Sequence, residues 1–162
     1  MRRLLLSFLG AGYLRPAPGT WGSLAAVVAA LVVHQIGGPV LLGLGIVLAF
    51  TAGTWAARIE AETSEDHDPG WIVIDEVAGQ WIALLPVSLG AHLTGEPMIA
   101  LWPGLVAAFL LFRLFDIWKP WIIGQADRRG DALGVMLDDV WAGAFAAVVV
   151  LALAALFHLV LL

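Results

Sequence analysis

The chain has 162 residues, of which 61% are hydrophobic and 13% are charged. This composition is too apolar for an ordinary soluble domain, and it predicts one membrane-embedded domain spanning residues 1–162. The absence of cysteine excludes disulfides and thiolate catalysis, so we expect any bound metal to be held by oxygen. The net charge of −5 is not accompanied by a basic stripe, and we therefore expect no nucleic acid partner.

The amino-terminal stretch, residues 1–14, combines two arginines with an apolar run but has no small-residue cleavage site. We expect it to be retained at the membrane interface rather than removed as a signal peptide. Five apolar segments follow and predict helices; they span 23–36, 40–57, 77–93, 98–115 and 140–162. The predicted fold is an all-α polytopic membrane bundle of about five hydrophobic helices, although a count of four stays open because the first segment is short.

The charged residues indicate how these helices are oriented. Five passes place the amino terminus and the connections 58–76 and 116–139 on one side, and every Lys and Arg lies on or next to that side. Of the acidic residues, only Glu96 lies in a loop on the other side. Because Lys and Arg are enriched in cytoplasmic loops, we expect a polar site at the cytoplasmic end.

Carboxylates flank two of the predicted helices. Asp68, Asp75 and Glu76 come just before or at the start of the third helix, and Asp138 and Asp139 precede the last. Charge compensation of the helix dipole explains part of this pattern. Ionisable groups beside an apolar span are costly and usually functional, and carboxylate oxygens suit Mg²⁺. We therefore predict a magnesium site with these five residues as ligands.

Two further motifs are candidates for substrate binding. Thr20 and Ser23 belong to Pro-Gly-Thr-Trp-Gly-Ser before the first helix, where they can cap the helix or help to bind an anion. Arg113, Asp116 and Lys119 are spaced three apart and form either an internal ion-pair ladder or part of a phosphoryl site. We predict that both cations bind phosphoryl oxygens.

We expect Asp75, Asp116 and Asp138 to be the catalytic residues, with Asp116 orienting Lys119 or acting as general base. Attack by water at one or two metal ions and formation of an aspartyl-phosphate both stay open. The alternative function is a small cation transporter or channel. The almost wholly apolar helix centres disfavour it, because a transporter needs polar groups that continue through its spans.

Taken together, the motifs resemble those of the phosphatidylglycerophosphatase A family. The matching stretches are PGTWGS at 18–23, DPGWIVIDE at 68–76, FRLFDIWKPW at 112–121 and GVMLDDVWAG at 134–143. The chain departs from the family pattern at Ile122, where proline is common, and at 130–134, where a Gly-Gly-x-Gly run is common. These differences concern the loop between the fourth and last helices rather than the carboxylates.

The resemblance implies a magnesium-dependent lipid phosphatase of the bacterial inner membrane. Its substrate would be phosphatidylglycerophosphate, converted to phosphatidylglycerol on the cytoplasmic side, and its surroundings would be membrane lipid. The sequence does not indicate an oligomeric state. The residues that match the family's polar motif positions are Asp68, Asp75, Glu76, Arg113, Asp116, Lys119, Asp138 and Asp139.

Overall fold

The structure is a computed structural model that describes residues 1–63 and 69–161. These residues form helices and turns without a β-strand, which confirms the predicted all-α class. Short 3₁₀ turns lie at Ala11–Tyr13 and Met98–Leu101. The α-helices are α1 (Arg2–Leu6), α2 (Pro18–Thr63), α3 (Ile74–Thr94), α4 (Trp102–Trp118), α5 (Ile122–Asp127) and α6 (Ala132–Leu161).

Helix α2 is 46 residues long but is interrupted near its middle. The backbone leaves the helical region at Gly37, with φ −146° and ψ 18°, and at Gly38, with φ 61° and ψ −155°. Glycine adopts a positive φ at no steric cost, and Pro39 is favourable in the first turn of the helical segment that follows. The break divides α2 into two halves, 18–36 and 39–63.

The two halves of α2 run in opposite directions along α3. At the start of α3, Gly22 of the first half lies against Val73, and Gly53 of the second half lies against Ile74. At the end of α3, Gly38 lies beside the His92 ring. Helix α2 is therefore a helical hairpin with its turn at the far end of α3.

Four segments of the described chain are long and apolar enough to cross a membrane: Pro18–Thr63, Ile74–Thr94, Met98–Trp118 and Ala132–Val160. Because the first of these is a hairpin of two helical halves, the described residues contain five long apolar helical segments, in agreement with the predicted bundle of about five hydrophobic helices. We call the end where α3 and α6 begin and α4 ends the acidic end. Both ends of the α2 hairpin also lie there.

Small side chains fill the centre of the bundle. Phe112, Leu42 and Leu84 are among the few large side chains that are fully buried. Leu44, Leu110 and Val148 instead point outward, as expected for lipid-facing positions. The alanines that are completely buried are Ala26, Ala30, Ala56, Ala78, Ala83, Ala108, Ala142 and Ala146.

The predicted interfacial segment is attached to the bundle at the acidic end. Arg2 and Arg3 both form salt bridges to Glu60, at 2.8 and 3.2 Å, and Glu60 is only 2% exposed. The carbonyl oxygen of Leu6 accepts a hydrogen bond of 2.8 Å from the backbone N–H of Val73, just before α3. The segment therefore braces the start of α3 against the end of α2.

The predicted helix starts differ most from the structure at α2 and α6. Helix α2 begins at Pro18, so Thr20 and Ser23 lie inside its first two turns and do not cap it. Ser23 Oγ instead donates a hydrogen bond of 2.8 Å to the Gly19 carbonyl oxygen. A polar side chain that bonds back to the helix backbone can be accommodated there, so the motif forms the first turns of the helix instead of preceding it.

Helix α6 begins at Ala132 rather than at Val140. Asp131 Oδ1 accepts a hydrogen bond of 2.7 Å from the Gly134 N–H, so this carboxylate caps the helix. Asp138 and Asp139 lie about two turns further along. Helix-end charge compensation therefore does not explain them, because the dipole effect is confined to the first turn.

Candidate active site

Three carboxylates from two helices converge at the acidic end. Asp75 and Glu76 lie in the first turn of α3, and Asp139 lies on α6. Each offers an oxygen, and these oxygens lie within 4.8 Å of one another. Asp75 and Asp139 are only 9% and 3% exposed. We call these three residues the acid cluster, and its spacing is suitable for a shared divalent cation.

A close crossing of α3 and α6 brings the cluster together. Gly79 lies against the backbone carbonyl of Asp139 and the ring of Phe112, and Gly143 lies against the carbonyl oxygen of Gly79. A β-carbon at either glycine would overlap these atoms. Glycine at both positions therefore permits the short distance between the helices.

Arg113 connects α4 to the acid cluster and to the α2 hairpin. Its guanidinium pairs with Asp116 on the same helix and lies 4.0 Å from Glu76 Oε1. It also donates a hydrogen bond of 3.5 Å to Ser23 Oγ. Arg113, predicted to bind phosphate, thus lies next to Glu76, a predicted metal ligand, and Ser23, a predicted substrate-binding residue.

Lys119 belongs to a second set of ion pairs, with Asp127 and with Asp138 Oδ2 at 2.7 Å. Of the two roles predicted for Asp116, orienting Lys119 does not fit the structure, because Asp116 pairs with Arg113; the role of general base stays a prediction. Partial burial lowers the pKa of Lys119, but the two hydrogen-bonded carboxylates outweigh burial and leave that pKa raised. Lys119 therefore carries its positive charge at neutral pH.

The backbone after α4 turns sharply and directs Lys119 towards α6. Lys119 has φ 49° and ψ 52°, and Trp121 has φ 48° and ψ −114°. Side chains other than glycine rarely adopt such positive φ angles, which cost on the order of 1–3 kcal/mol each and concentrate at functional sites. Because of this strained turn, Lys119 does not join the predicted ion-pair ladder with Arg113 and instead pairs with Asp138.

Several buried polar atoms beside the acid cluster have no hydrogen-bond partner within the described protein. They are Glu76 Oε2, Arg113 Nε and both amide atoms of Gln80. Gln80 is fully buried and follows Glu76 by one helical turn. Leaving such atoms unpaired costs about 1–3 kcal/mol each, so together they call for a polar partner, either ordered water or a ligand.

Comparison with known proteins assigns the chain to a family. The sequence model described as "Phosphatidylglycerophosphatase A" matches residues 4–154. The chain belongs to the phosphatidylglycerophosphatase A family. The predicted family and the predicted phosphatase class are thereby confirmed.

Relatives from three bacteria match most of the chain. A phosphatidylglycerophosphatase A of Haemophilus influenzae is 37% identical over 156 residues, covering 93% of this chain and 86% of the relative. One of Escherichia coli is 34% identical over 145 residues, covering 89% and 78%. A Bacteroides thetaiotaomicron protein, named as a candidate phosphatidylinositol-3-phosphatase, is 35% identical over 146 residues, covering 87% and 86%. No solved structure matches the chain significantly.

The structure groups most of the predicted site residues of this phosphatidylglycerophosphatase A family member. Asp116 lies close enough to Asp75, Glu76 and Asp139 to interact with them electrostatically. Thr20 is half-buried and makes no side-chain hydrogen bond to the described residues. The predicted ligand Asp68 lies outside the described residues.

Sequence reasoning missed two polar residues of the site. Asp127 pairs with Lys119 across the strained turn, and its position depends on that turn. Gln80 had a detectable signal, because it is an amide in an apolar span, four residues after Glu76. Residues at this spacing share one helix face.

The donor set suits a hard cation and a bound anion together. The acid cluster supplies carboxylate oxygens, which are the ligands Mg²⁺ prefers. The partnerless Arg113 Nε and Gln80 Nε2 are donors and suit an anionic oxygen, whereas Glu76 Oε2 and Gln80 Oε1 are acceptors. Metal-bound water or phosphate can satisfy both kinds of atom.

Proposed function

We propose that the protein hydrolyses phosphatidylglycerophosphate to phosphatidylglycerol and inorganic phosphate, with Mg²⁺ held by the acid cluster. The observation that carries this proposal is the convergence of Asp75, Glu76 and Asp139 beside partnerless buried donors, in a chain of the phosphatidylglycerophosphatase A family. The names of the Haemophilus and Escherichia relatives support the choice of lipid.

Charge neutralisation is the main requirement of this reaction, because a phosphomonoester dianion repels a nucleophile. The acid cluster would hold Mg²⁺, which supplies positive charge to phosphoryl oxygens and favours ionisation of water. Arg113 lies beside the cluster and offers its partnerless Nε to a phosphoryl oxygen. Lys119 adds a second positive charge and fixes Asp138 at 2.7 Å.

Hydrolysis forms a bond between phosphorus and the water oxygen and breaks the ester bond to glycerol. Asp116 is placed to accept the water proton, because its pair with Arg113 holds it near the acid cluster. The leaving glycerol oxygen then takes up a proton from solvent at the open membrane surface. Gln80 can hold a water or a phosphoryl oxygen with its otherwise unpaired amide.

Phosphate release from defined lipids tests this proposal. Purified protein in neutral detergent micelles receives phosphatidylglycerophosphate, phosphatidate or phosphatidylinositol 3-phosphate, each with Mg²⁺ or with EDTA. We expect phosphatidylglycerophosphate to be hydrolysed fastest, with activity lost in EDTA and restored by excess Mg²⁺. Undiminished release in EDTA would reject the metal, and no release from phosphatidylglycerophosphate would reject the function.

We further propose that the protein lies in the bacterial inner membrane with its acidic end facing the cytoplasm. Every Lys and Arg of the sequence lies at or near this end, which supports the orientation. Single cysteines at Gln125 and Thr94 report it, because the chain has no cysteine of its own. On intact cells, an impermeant thiol reagent should label the Thr94 position alone, whereas labelling at Gln125 would reverse the orientation.

A further inference from the structure

A cavity lies beside the acid cluster at the acidic end, and none of the three acid-cluster residues lines it. Its volume is about 550 Å³, within the usual range of ligand sites. One wall comes from the chain just before and at the start of α2, and the other from the chain just before α3. The lining residues are Gly12, Tyr13, Arg15 and Pro18 on the first wall and Pro69, Gly70 and Trp71 on the second. Its lining combines polar and apolar groups, unlike a lipid-facing groove.

The cavity and the acid cluster share a wall. Pro18 lines the cavity, and the next residue, Gly19, lies so close to Glu76 and Arg113 that a β-carbon there would contact both side chains. Consecutive α-carbons are about 3.8 Å apart, so the two sites are separated by roughly one residue. One ligand with two polar groups can therefore occupy both.

Arg15 gives the cavity its positive charge. This arginine makes no salt bridge to any described residue, whereas Arg113 and Lys119 are both paired with carboxylates. A guanidinium matches the geometry of phosphate oxygens and can donate two parallel hydrogen bonds to them. Among the described residues that line the cavity, Arg15 is thus the cation that can bind a second phosphate.

An aromatic pair forms part of the cavity wall. The rings of Tyr13 and Trp71 stack with centroids 5.7 Å apart and planes 25° apart. The guanidinium carbon of Arg3 lies 5.6 Å from the centroid of the Trp71 ring. Such amphipathic rings are typical of the membrane interface, and they suit a glycerol backbone that carries a charged phosphate.

We propose that this cavity binds the phosphodiester and glycerol portion of the lipid head group, with Arg15 as the phosphate-binding residue. This inference rests on the proposed function, because the terminal phosphomonoester would then occupy the acid cluster. Phosphatidate carries its monoester directly on diacylglycerol and has no phosphodiester. Arg15 therefore selects lipids with two phosphates over lipids with one.

The Arg15→Gln variant tests the proposal, with Arg58→Gln as matched control. Both changes remove an exposed arginine near the acidic end, but Arg58 does not line the cavity. We measure kcat and KM for phosphatidylglycerophosphate and phosphatidate in neutral micelles. Arg15→Gln should raise KM for phosphatidylglycerophosphate about 10-fold and leave KM for phosphatidate unchanged. The preference for phosphatidylglycerophosphate, measured as its kcat/KM divided by that for phosphatidate, should therefore fall about 10-fold. Arg15→Lys should be intermediate, because it keeps the charge but loses the planar fork.

Three outcomes would be informative in other ways. An unchanged ratio in Arg15→Gln, with normal hydrolysis by the wild type, would overturn the cavity assignment alone. An equal rise of both KM values in Arg15→Gln and Arg58→Gln would also overturn it, because that result indicates general attraction of anionic lipid. Failure of the wild type to hydrolyse phosphatidylglycerophosphate would instead reject the proposed function.

Discussion

The two ends of the bundle both contain buried polar side chains, but among the residues that the structure describes, those without partners lie at the acidic end. At the end opposite the acid cluster, the buried hydroxyl of Ser88 lies 2.7 Å from His34 Nδ1. At the acidic end, Glu76, Gln80 and Arg113 each retain at least one unpaired buried atom. A buried polar group therefore indicates a ligand site when the protein itself does not satisfy it.

The arrangement of possible metal ligands differs in the same way. A polar cavity of about 340 Å³ at the opposite end is lined in part by His34, His92 and Glu96. Within residues 1–63 and 69–161, however, only the acid cluster brings three metal-ligating side chains within 4.8 Å of one another. Ligand type alone thus does not make a metal site, because the oxygens or nitrogens also have to converge.

The largest expected effect comes from removing charge at the acid cluster. Asp75→Asn and Asp139→Asn should each reduce kcat for phosphate release by about 10²-fold or more, because an amide keeps the volume but loses the charge. Glu96→Gln makes the same chemical change at the opposite end and should leave kcat unchanged. Equal activity of all three variants would show that the acid cluster has no catalytic role.

A smaller loss is expected from the Lys119–Asp138 pair. Lys119→Gln and Asp138→Asn should each lower kcat/KM by about tenfold. The double variant should lose much less than the product of the two single losses, because each change breaks the same ion pair. A double-mutant cycle of phosphate release measures this coupling. Fully additive losses would mean that the two residues act separately.

Gln80→Leu should separate stability from ligand binding. The change removes an amide that the ligand-free protein leaves unpaired, so the melting temperature without Mg²⁺ should stay equal or rise. The Mg²⁺-induced rise in melting temperature should shrink, and activity should fall several-fold. Gln35→Leu, on an exposed residue at the opposite end, is the matched control. A large loss of ligand-free stability would mean that Gln80 is a structural residue.

The smallest effect on activity is expected at Ser88. Ser88→Ala removes the hydrogen bond to His34 and should reduce the free energy of unfolding by about 1 kcal/mol, leaving phosphate release unchanged. Chemical or thermal unfolding in detergent measures the first quantity. Lost activity with unaltered stability would show that the two ends are functionally coupled.

Hydropathy and charge placement were sufficient to predict the passes and the end that carries the carboxylates. Both follow from the cost of placing charge in hydrocarbon, which acts on the sequence directly. The start of α6 at Ala132 was missed, because its cap is formed by Asp131 inside a polar loop.

The pairing within the site was harder to predict. Lys119 reaches Asp138 only because Lys119 and Trp121 adopt positive φ angles, and no residue type there favours that conformation. Gln80 was within reach of the sequence, because it lies four residues after Glu76, but its burial and lack of partners come from the structure alone. Spacing along a helix predicts a shared face, whereas contacts between helices depend on backbone turns and crossings.

The break at Gly37 and Gly38 determines the end of the bundle at which α2 finishes. An unbroken helix of 46 residues would be about 69 Å long, more than twice the roughly 30 Å thickness of a bilayer's hydrocarbon core. The reversal at the two glycines brings the second half of α2 back to the end of the bundle where the first half begins. The acid cluster and both ends of the hairpin therefore lie together, although the residues that cause the reversal lie at the opposite end of the bundle.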